Sequence, residues 1–326
     1  MPANLPPQYF EAEKRFREAK IPAEKVAALE EMLAIMPHHK GTDKLRASLR
    51  KKLSKLKVEQ ERRKGASRTD LYTVKQEGAG QVALVGLPNV GKSQLLASLT
   101  NADPGVADYP FTTQRPQAGM VTFENVQIQL VDLPPLTEDH FEPWVFNIMR
   151  SADALLLVLD LSRDPLVELE MILTVLHGQR IVPPNKDDED AGTTAFIKTS
   201  LVVGNKGDVA EAGENFAVLQ ELYGGRFPMT MVSAQRGLNH EALRGQLYTL
   251  LNVMRVYSKR PGHEPDLSSP VILRHGSTVL DLAKEIHKDF VTKLRYARIW
   301  GSGKFDGQRV QRDYPLQDGD IIELHI

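Results

Sequence analysis

The sequence predicts an α/β protein: a mostly parallel sheet with helices on both faces, preceded by a helical hairpin and followed by a small α+β unit. Three observations lead there. Strand-like and helix-like stretches alternate from residue 80 to about 256, the pattern of a helix-covered parallel sheet. Residues 1–64 carry apolar stripes at helical spacing. After a proline-containing stretch, Arg260-Pro261-Gly262-His263-Glu264-Pro265-Asp266, a short strand, a capped helix and two further strands complete the chain. At 326 residues the chain exceeds one small core, and two or three domains are expected. The boundaries read as an arm over 1–64, a central domain over 80–256, a linker over 257–269 and a small domain over 270–326.

In the arm, Val26, Leu29, Leu33 and Met36 form one stripe, and Leu45, Leu49, Leu53 and Leu56 form another. Pro37-His38-His39-Lys40-Gly41-Thr42 separates them, with Thr42 or Asp43 as the helix N-cap. Packed through these stripes, the two helices leave Arg50, Lys51, Lys52, Lys55, Lys57 and the run Arg62-Arg63-Lys64 outside. The arm holds 16 Lys and Arg against 9 Asp and Glu, whereas residues 65–268 hold 16 against 25. A basic arm on an acidic middle points to a polyanionic partner, the alternative being a solvated helix face. His38 and His39 read as turn residues, since no further ligands cluster near them.

In the central domain, strands are expected near 81–86, 119–123, 127–131, 154–160, 200–204 and 229–233. Helices are expected near 92–100, 140–150, 165–178, 211–222 and 238–256. The first strand runs into Gly86-Leu87-Pro88-Asn89-Val90-Gly91-Lys92-Ser93, followed by the helix-compatible Gln94-Leu95-Leu96. Strand, glycine-bounded loop and helix together are what a phosphate-binding P-loop needs. Successive backbone N–H groups and the helix N-terminus face the phosphates, Lys92 neutralises the outer ones, and the Ser93 hydroxyl is placed to ligate Mg²⁺.

Asn205-Lys206-Gly207-Asp208 follows the strand-like Leu201-Val202-Val203-Gly204 and selects the base. A carboxylate at Asp208 can accept from both N1–H and the exocyclic amine of guanine, a donor pair that adenine lacks. Asn205 would brace the loop and the Lys206 stem could cover the base plane. Ser233-Ala234, after the strand-like Met229-Thr230-Met231-Val232, stands in the order expected of a second base-contacting loop. Between the phosphate and base loops lie two candidate switch segments. Asp132 closes a strand, where its carboxylate would hold a Mg²⁺-bound water, and Tyr109-Pro110-Phe111-Thr112-Thr113 offers a hydroxyl, preferably that of Thr113, to complete the metal shell. The acidic stretch Val182 to Asp190 lacks the spacing of an EF-hand and reads as a solvated loop.

Composition removes several classes. Without cysteine there are no disulfides, thiolate metal sites or cysteine nucleophiles. Met1-Pro2-Ala3-Asn4-Leu5 carries neither the basic region nor the apolar core of a signal peptide, and the longest apolar run, Ala154 to Leu159, is far shorter than a membrane span. A cytoplasmic protein without a membrane role is the expectation.

The set Gly86 to Ser93, Tyr109 to Thr113, Asp132-Leu133-Pro134, Asn205 to Asp208 and Ser233-Ala234 resembles the Obg-type GTPases, most closely the developmentally regulated GTP-binding (DRG) branch. Lys40 to Leu45 and Lys52 to Lys57 resemble that family's helical region. Gly276 to Val279, Ala297 to Ser302 and Gly307 to Val310 resemble its TGS domain, a β-grasp module. The resemblance implies a P-loop GTPase domain over 80–256, binding GTP or GDP with Mg²⁺ through Gly86, Asn89, Val90, Gly91, Lys92, Ser93, Gln94, Phe111, Thr112, Thr113, Asp132, Asn205, Lys206, Asp208, Ser233 and Ala234. Together with the basic N-terminal arm, the TGS-like domain also implies a ribosome or RNA as partner. Asn89 matches the asparagine that positions K⁺ in potassium-stimulated relatives. Salt-insensitive association would instead favour a regulatory protein partner held by the leucine-striped helices.

The chain departs from that family in three places. Pro135 stands where the family's switch motif ends in glycine, so the backbone N–H that could reach the γ-phosphate is missing. Leu136-Thr137-Glu138-Asp139-His140-Phe141-Glu142 replaces the glycine-containing segment expected next, and no glutamine follows Pro135 to orient a water. The interval between Asp160 and Asn205 has no room for the extra folded insertion of the eukaryotic relatives. Slow GTP hydrolysis is one expectation. A GTP- or GDP-binding scaffold with little turnover is the other.

Overall fold

The computed structural model describes residues 6–19, 22–37, 42, 45–56, 72–100, 115–137, 142–183 and 195–326. Phe111, Thr112 and Thr113, and the arm's Lys57 and Arg62 to Lys64, lie outside them. The chain divides into two compact units, Met1–Thr73 and Val74–Ile326.

In the first unit, helices α1 (Pro7–Glu18), α2 (Pro22–Ile35) and α3 (45–56) share one apolar core. Tyr9 and Ala12 of α1 bury against Leu29, Met32, Met36 and Leu49. The hairpin expected from two stripes is thus a three-helix packing. Pro7 starts α1 at a position where a missing N–H costs nothing. Leu45, Leu53 and Leu56 pack onto this core, as expected of the stripe through which the arm's helices meet. The opposite face of α3 exposes Arg50, Lys51, Lys52 and Lys55. The Thr42 carbonyl accepts from Arg46 N at 2.9 Å.

The second unit is built on two sheets. The larger has six strands: β1 (Gln81–Val85), β2 (Gln117–Phe123), β3 (Val126–Asp132), β4 (Ala154–Asp160), β7 (Thr199–Asn205) and β8 (Met229–Met231), in the order β2-β3-β1-β4-β7-β8. All neighbours are parallel except the β2–β3 hairpin. β1 and β4 are buried along their whole length, as strands covered on both faces must be. Helix α4 (Lys92–Leu99) and helix α8 (His240–Leu250) cover one face, where Leu95, Leu96, Leu99, Leu243 and Leu247 meet Val82 and Leu84. Helices α5 (Pro143–Ser151), α6 (Pro165–Gly178) and α7 (Ala212–Tyr223) cover the other, around Ala83, Val85 and Leu155. Asp164 caps α6 by accepting from Leu166 N and Val167 N. A two-stranded ribbon, β5 (Ile181–Val182) with β6 (Phe196–Ile197), lies beside α6. In this parallel sheet β1, β4 and β7 end on the same edge, where ligands of such folds collect.

The second sheet corrects the sequence reading. The helix expected over 238–256 stops at Leu250, Asn252 adopts a left-handed φ of 52°, and Val253–Lys259 is a strand, β9. Met254 and Val256 point into the small core while Arg255 alternates outward, the two-residue period of a strand. β9 pairs with β10 (Val271–Arg274) and β13 (Ile321–His325), within the order β10-β9-β13-β11-β12 that also holds β11 (Tyr296–Trp300) and β12 (Gln308–Val310). Residues 257–269, read as a linker, therefore supply the end of β9 and the loop to β10. Helices α9 (Val279–Ile286) and α10 (Lys288–Lys293) complete the unit, α9 starting at a Thr278–Asp281 capping box. The tip of the β2–β3 hairpin reaches this sheet: Arg255 pairs with Glu124, and Asn125 Nδ2 donates to Tyr257 Oη at 2.8 Å. Arg255 also binds Asp318 at 2.7 Å, holding that carboxyl down at about 2. Among the described residues, no helix is long and apolar enough to cross a membrane.

Candidate functional site

The loop between β1 and α4 leaves the sheet at its carboxyl edge. Gly86 is required there by a close approach: a Cβ would lie 2.5 Å from the Val158 carbonyl oxygen. Gly91 is required twice, by a φ of 92° and by the Asn205 amide, 2.4 Å from where its Cβ would be. Asn89 also turns left-handed, with φ 66°. Lys92 starts α4 with 7 % of its surface exposed, and its ammonium donates to the carbonyls of Gly86 at 3.0 Å and Leu87 at 3.1 Å. Burial lowers its pKa to about 8, against the opposing pull of Asp132 and Glu168. The charge therefore sits in an acceptor cradle beside the helix N-terminus, ready to meet a phosphate.

At the end of β3, Asp132 is 1 % exposed. Its Oδ2 accepts from the Ser93 hydroxyl at 2.5 Å, and its buried Oδ1 has no hydrogen-bond partner among the described residues. Burial pushes the Asp132 pKa up, with Ser93 and Lys92 countering. A buried carboxylate oxygen without a partner beside a serine hydroxyl fits a hydrated divalent cation, which takes oxygen ligands and keeps its waters. The residues present suit Mg²⁺, to which Ser93 would bind directly and Asp132 through water.

The loop at Asn205–Asp208, expected to contact a base, is tied to the Gly86–Ser93 loop by one side chain. Asn205, 1 % exposed at the end of β7, donates from Nδ2 to the Val90 carbonyl at 2.8 Å and accepts at Oδ1 from Ala234 N at 3.0 Å. Three segments far apart in sequence are thereby clamped together. Val90 itself is fully buried in the core, which anchors the loop from below. Gly207 N donates to the Val232 carbonyl at 2.8 Å, closing the Asn205–Asp208 turn onto the strand before Ser233. Asp208 is held below the usual carboxylate range by a hydrogen bond from the Ser233 hydroxyl, with Arg236 at 4.0 Å adding to the effect. An ionised acceptor at that edge is what the guanine N1–H and amine require. Gln94 and Ser93 are exposed at the start of α4.

Two features escaped the sequence. Asp160, fully buried at the end of β4, accepts from Lys206 Nζ at 2.5 Å and from the backbone and hydroxyl of Ser162. Burial alone would raise its pKa, but these donors outweigh it and hold the carboxyl down. Lys206 takes a left-handed φ of 62°, and this pairing fixes its stem. The available signal was register, since Asp160 pairs with Asn205 across parallel strands. The second feature is Leu136, whose N–H donates to the Gly86 carbonyl at 3.1 Å while its side chain is buried beside Leu133. That carbonyl thus accepts from both Lys92 and Leu136.

Residues 81–186 match the family described as 50S ribosome-binding GTPase, and residues 254–326 match the TGS domain. A GTP-binding protein of Methanocaldococcus jannaschii is 32% identical over 93% of this chain and 92% of its own length. A developmentally regulated GTP-binding protein 2 homologue of Dictyostelium discoideum is 27% identical, covering 92% of this chain and 98% of the relative. Developmentally regulated G-protein 1 of Arabidopsis thaliana is 28% identical over 92% and 90%. The chain belongs to the DRG family of GTP-binding proteins. The solved structure of the Schizosaccharomyces pombe YchF GTPase superposes with a TM-score of 0.51, covering 78% of this chain and all of that one at 15% identity, which speaks for the fold. As a DRG protein the chain joins a GTPase domain to a TGS domain, and the TGS match begins inside β9, at Met254.

Proposed function

We propose that this DRG protein binds GTP and GDP at the carboxyl edge of the six-stranded sheet, hydrolyses GTP slowly with Mg²⁺, and acts in the cytoplasm on the ribosome or another RNA. The observation that carries the nucleotide reading is Asn205, which clamps the Val90 phosphate loop to Ala234 of the base loop. In this reading the amides from Asn89 to Ser93 and the Lys92 ammonium hold the phosphates, and Asp208 with Ser233 and Ala234 holds guanine. Ser93, Asp132 and Thr113 hold Mg²⁺, which would spread the charge developing on the phosphates. Phosphoryl transfer depends mostly on positioning and electrostatics, and unaided turnover in such sites is about 10⁻³ s⁻¹ or lower. Asn89 is the K⁺-positioning candidate, so turnover in K⁺ should exceed that in Na⁺.

A second reading is a nucleotide-binding scaffold without turnover. Pro135 and the Leu136–Gly86 hydrogen bond favour it, because both fix the switch without a γ-phosphate. Affinities for GDP, GTP and a non-hydrolysable analogue, alongside a hydrolysis assay, separate the two. For the partner, the support is the row of cations on α3, and phosphate contacts of that kind predict binding that falls steeply with salt.

Two expected results test the site itself. Asn205→Ala leaves a buried carbonyl and a buried N–H unpaired, each costing about 1–3 kcal/mol. GDP affinity should drop at least about 10-fold and thermal stability should fall with it; titration calorimetry and thermal unfolding read both. The second concerns Lys92. With its pKa near 8 in the free protein and raised beside a phosphate, GDP binding should take up a proton above pH 8. Affinity should then decline as pH rises past 8, and calorimetry in buffers of different ionisation enthalpy should report proton uptake. Proton release there would contradict this role for Lys92.

A further inference from the structure

The β4–α6 connection runs beside the Asn205–Asp208 loop, and its first residue is held on every side. The Asp160 carboxylate is fully buried at the end of β4. Its Oδ1 accepts from the Ser162 N–H at 2.9 Å and hydroxyl at 2.6 Å. Its Oδ2 accepts from Lys206 Nζ at 2.5 Å, with Arg163 Nε at 3.6 Å. The Asp160 N–H donates to Glu168 Oε2 of α6 at 2.9 Å, and Asn215 Nδ2 of α7 donates to the Leu161 and Arg163 carbonyls. The carboxylate is thus fixed by its own turn and by two helices behind it.

Lys206 is the flexible member of the pair. Its ammonium sits on a partly exposed four-carbon stem, which samples many rotamers when nothing holds it. Its backbone is left-handed, a conformation that a non-glycine residue keeps only where the surroundings impose it. The rest of the loop is framed without the Asp160 side chain. Asn205 bonds to Val90 and Ala234, Gly207 N–H to the Val232 carbonyl, and the Asp208 carboxylate to the Ser233 hydroxyl. Leu161 N–H also donates to the Asn205 carbonyl at 3.0 Å, a bond between backbones. Among the described residues, the Asp160 carboxylate hydrogen-bonds to the loop through the Lys206 ammonium alone. Removing its charge therefore frees one side chain and leaves the frame of the loop in place.

We propose that Asp160 is a positioning residue for guanine: it pins the Lys206 ammonium so that the aliphatic stem lies ready against one face of the base. A stem ordered beforehand loses little freedom when the base arrives, which strengthens binding and slows release. This deepens the nucleotide reading of the site and rests on it, adding a residue that never touches the nucleotide to those that do.

The test measures the affinity of the full chain for GDP and IDP, and the release rate of a fluorescent GDP. IDP lacks the exocyclic amine but keeps the ring face. The preference for GDP over IDP therefore reports the Asp208 edge, and the affinity common to both reports the face. Asp160→Asn is nearly isosteric and keeps an acceptor for Ser162. It should weaken both nucleotides about 10-fold, chiefly through faster release, with the preference for GDP kept. Lys206→Ala should weaken both as well, and the double variant should bind no more weakly than Lys206→Ala, since Asp160 acts through Lys206. Lys206→Met keeps an apolar stem with nothing to pin it, and tests the anchor from the exposed side should Asp160→Asn not fold; it too should weaken GDP and IDP alike. Parent-like binding by Asp160→Asn or by Lys206→Met overturns the proposal, and so do effects that multiply in the double variant. Loss of the GDP preference in Asp160→Asn also overturns it, because the carboxylate would then only hold the loop. A parent chain that binds neither nucleotide overturns the nucleotide reading as well.

Discussion

Asp208→Asn is expected to lower guanine nucleotide affinity by about 10²–10⁴-fold and to turn the site toward xanthine nucleotides. The native carboxylate is an acceptor for two donors, and the Ser233 hydroxyl with Arg236 keeps it ionised. An amide presents N–H to one of those guanine donors, leaving two donors face to face. Xanthine offers a carbonyl in place of the exocyclic amine, which the amide can satisfy. Asp208 lies at the protein surface outside the apolar core, so folding should be unaffected. Competition of GDP and XDP for the purified variant measures the switch. A variant that still prefers GDP as strongly as the parent would reject the base-loop assignment.

Pro135→Gly is expected to tighten GTP relative to GDP by about 10-fold or more and to raise turnover. Pro134 and Pro135 remove two consecutive backbone donors where the chain passes from Asp132 toward the phosphate site. The next donor, Leu136 N–H, is already taken by the Gly86 carbonyl, and the Leu136 side chain is buried. The segment is thereby fixed with no donor reserved for a γ-phosphate. A glycine restores one, and a hydrogen bond to a charged group contributes about 1.5–3 kcal/mol. The ratio of GTP-analogue to GDP affinity reads the effect directly. An unchanged ratio would mean that the switch senses the γ-phosphate through another contact.

The proposed nucleotide site could be read from the sequence because its parts are local. Gly86 and Gly91 are dictated by backbone approach and a positive φ, and Asp208 by the donor pattern of a base, so residue type and spacing carry the information. What was not readable depends on partners distant in sequence. Asp160 matters only because parallel pairing brings it beside Asn205 and within reach of Lys206. The stretch from Val253 follows a true helix and is apolar, so helical periodicity ran on through it. Its strand character is imposed by pairing with β10 and β13, including residues some sixty positions further along. The arm's third helix was masked for a similar reason, since Tyr9 and Ala12 form a weak stripe that acquires meaning only against Leu29 and Met32.

The family membership supports guanine nucleotide binding, and the proposal places it at the clamp of Asn205 and the Ser93–Asp132 pair. Pro135 and Leu136 describe a switch with little catalytic help of its own. Those two statements meet in a single measurement: phosphate release from GTP by the full chain in Mg²⁺ and K⁺, with and without ribosomes. The account predicts turnover of about 10⁻³ s⁻¹ or less by the protein alone, and faster turnover with ribosomes. Release indistinguishable from a protein-free control, with both K⁺ and ribosomes present, would contradict it and leave a nucleotide-bound scaffold in its place.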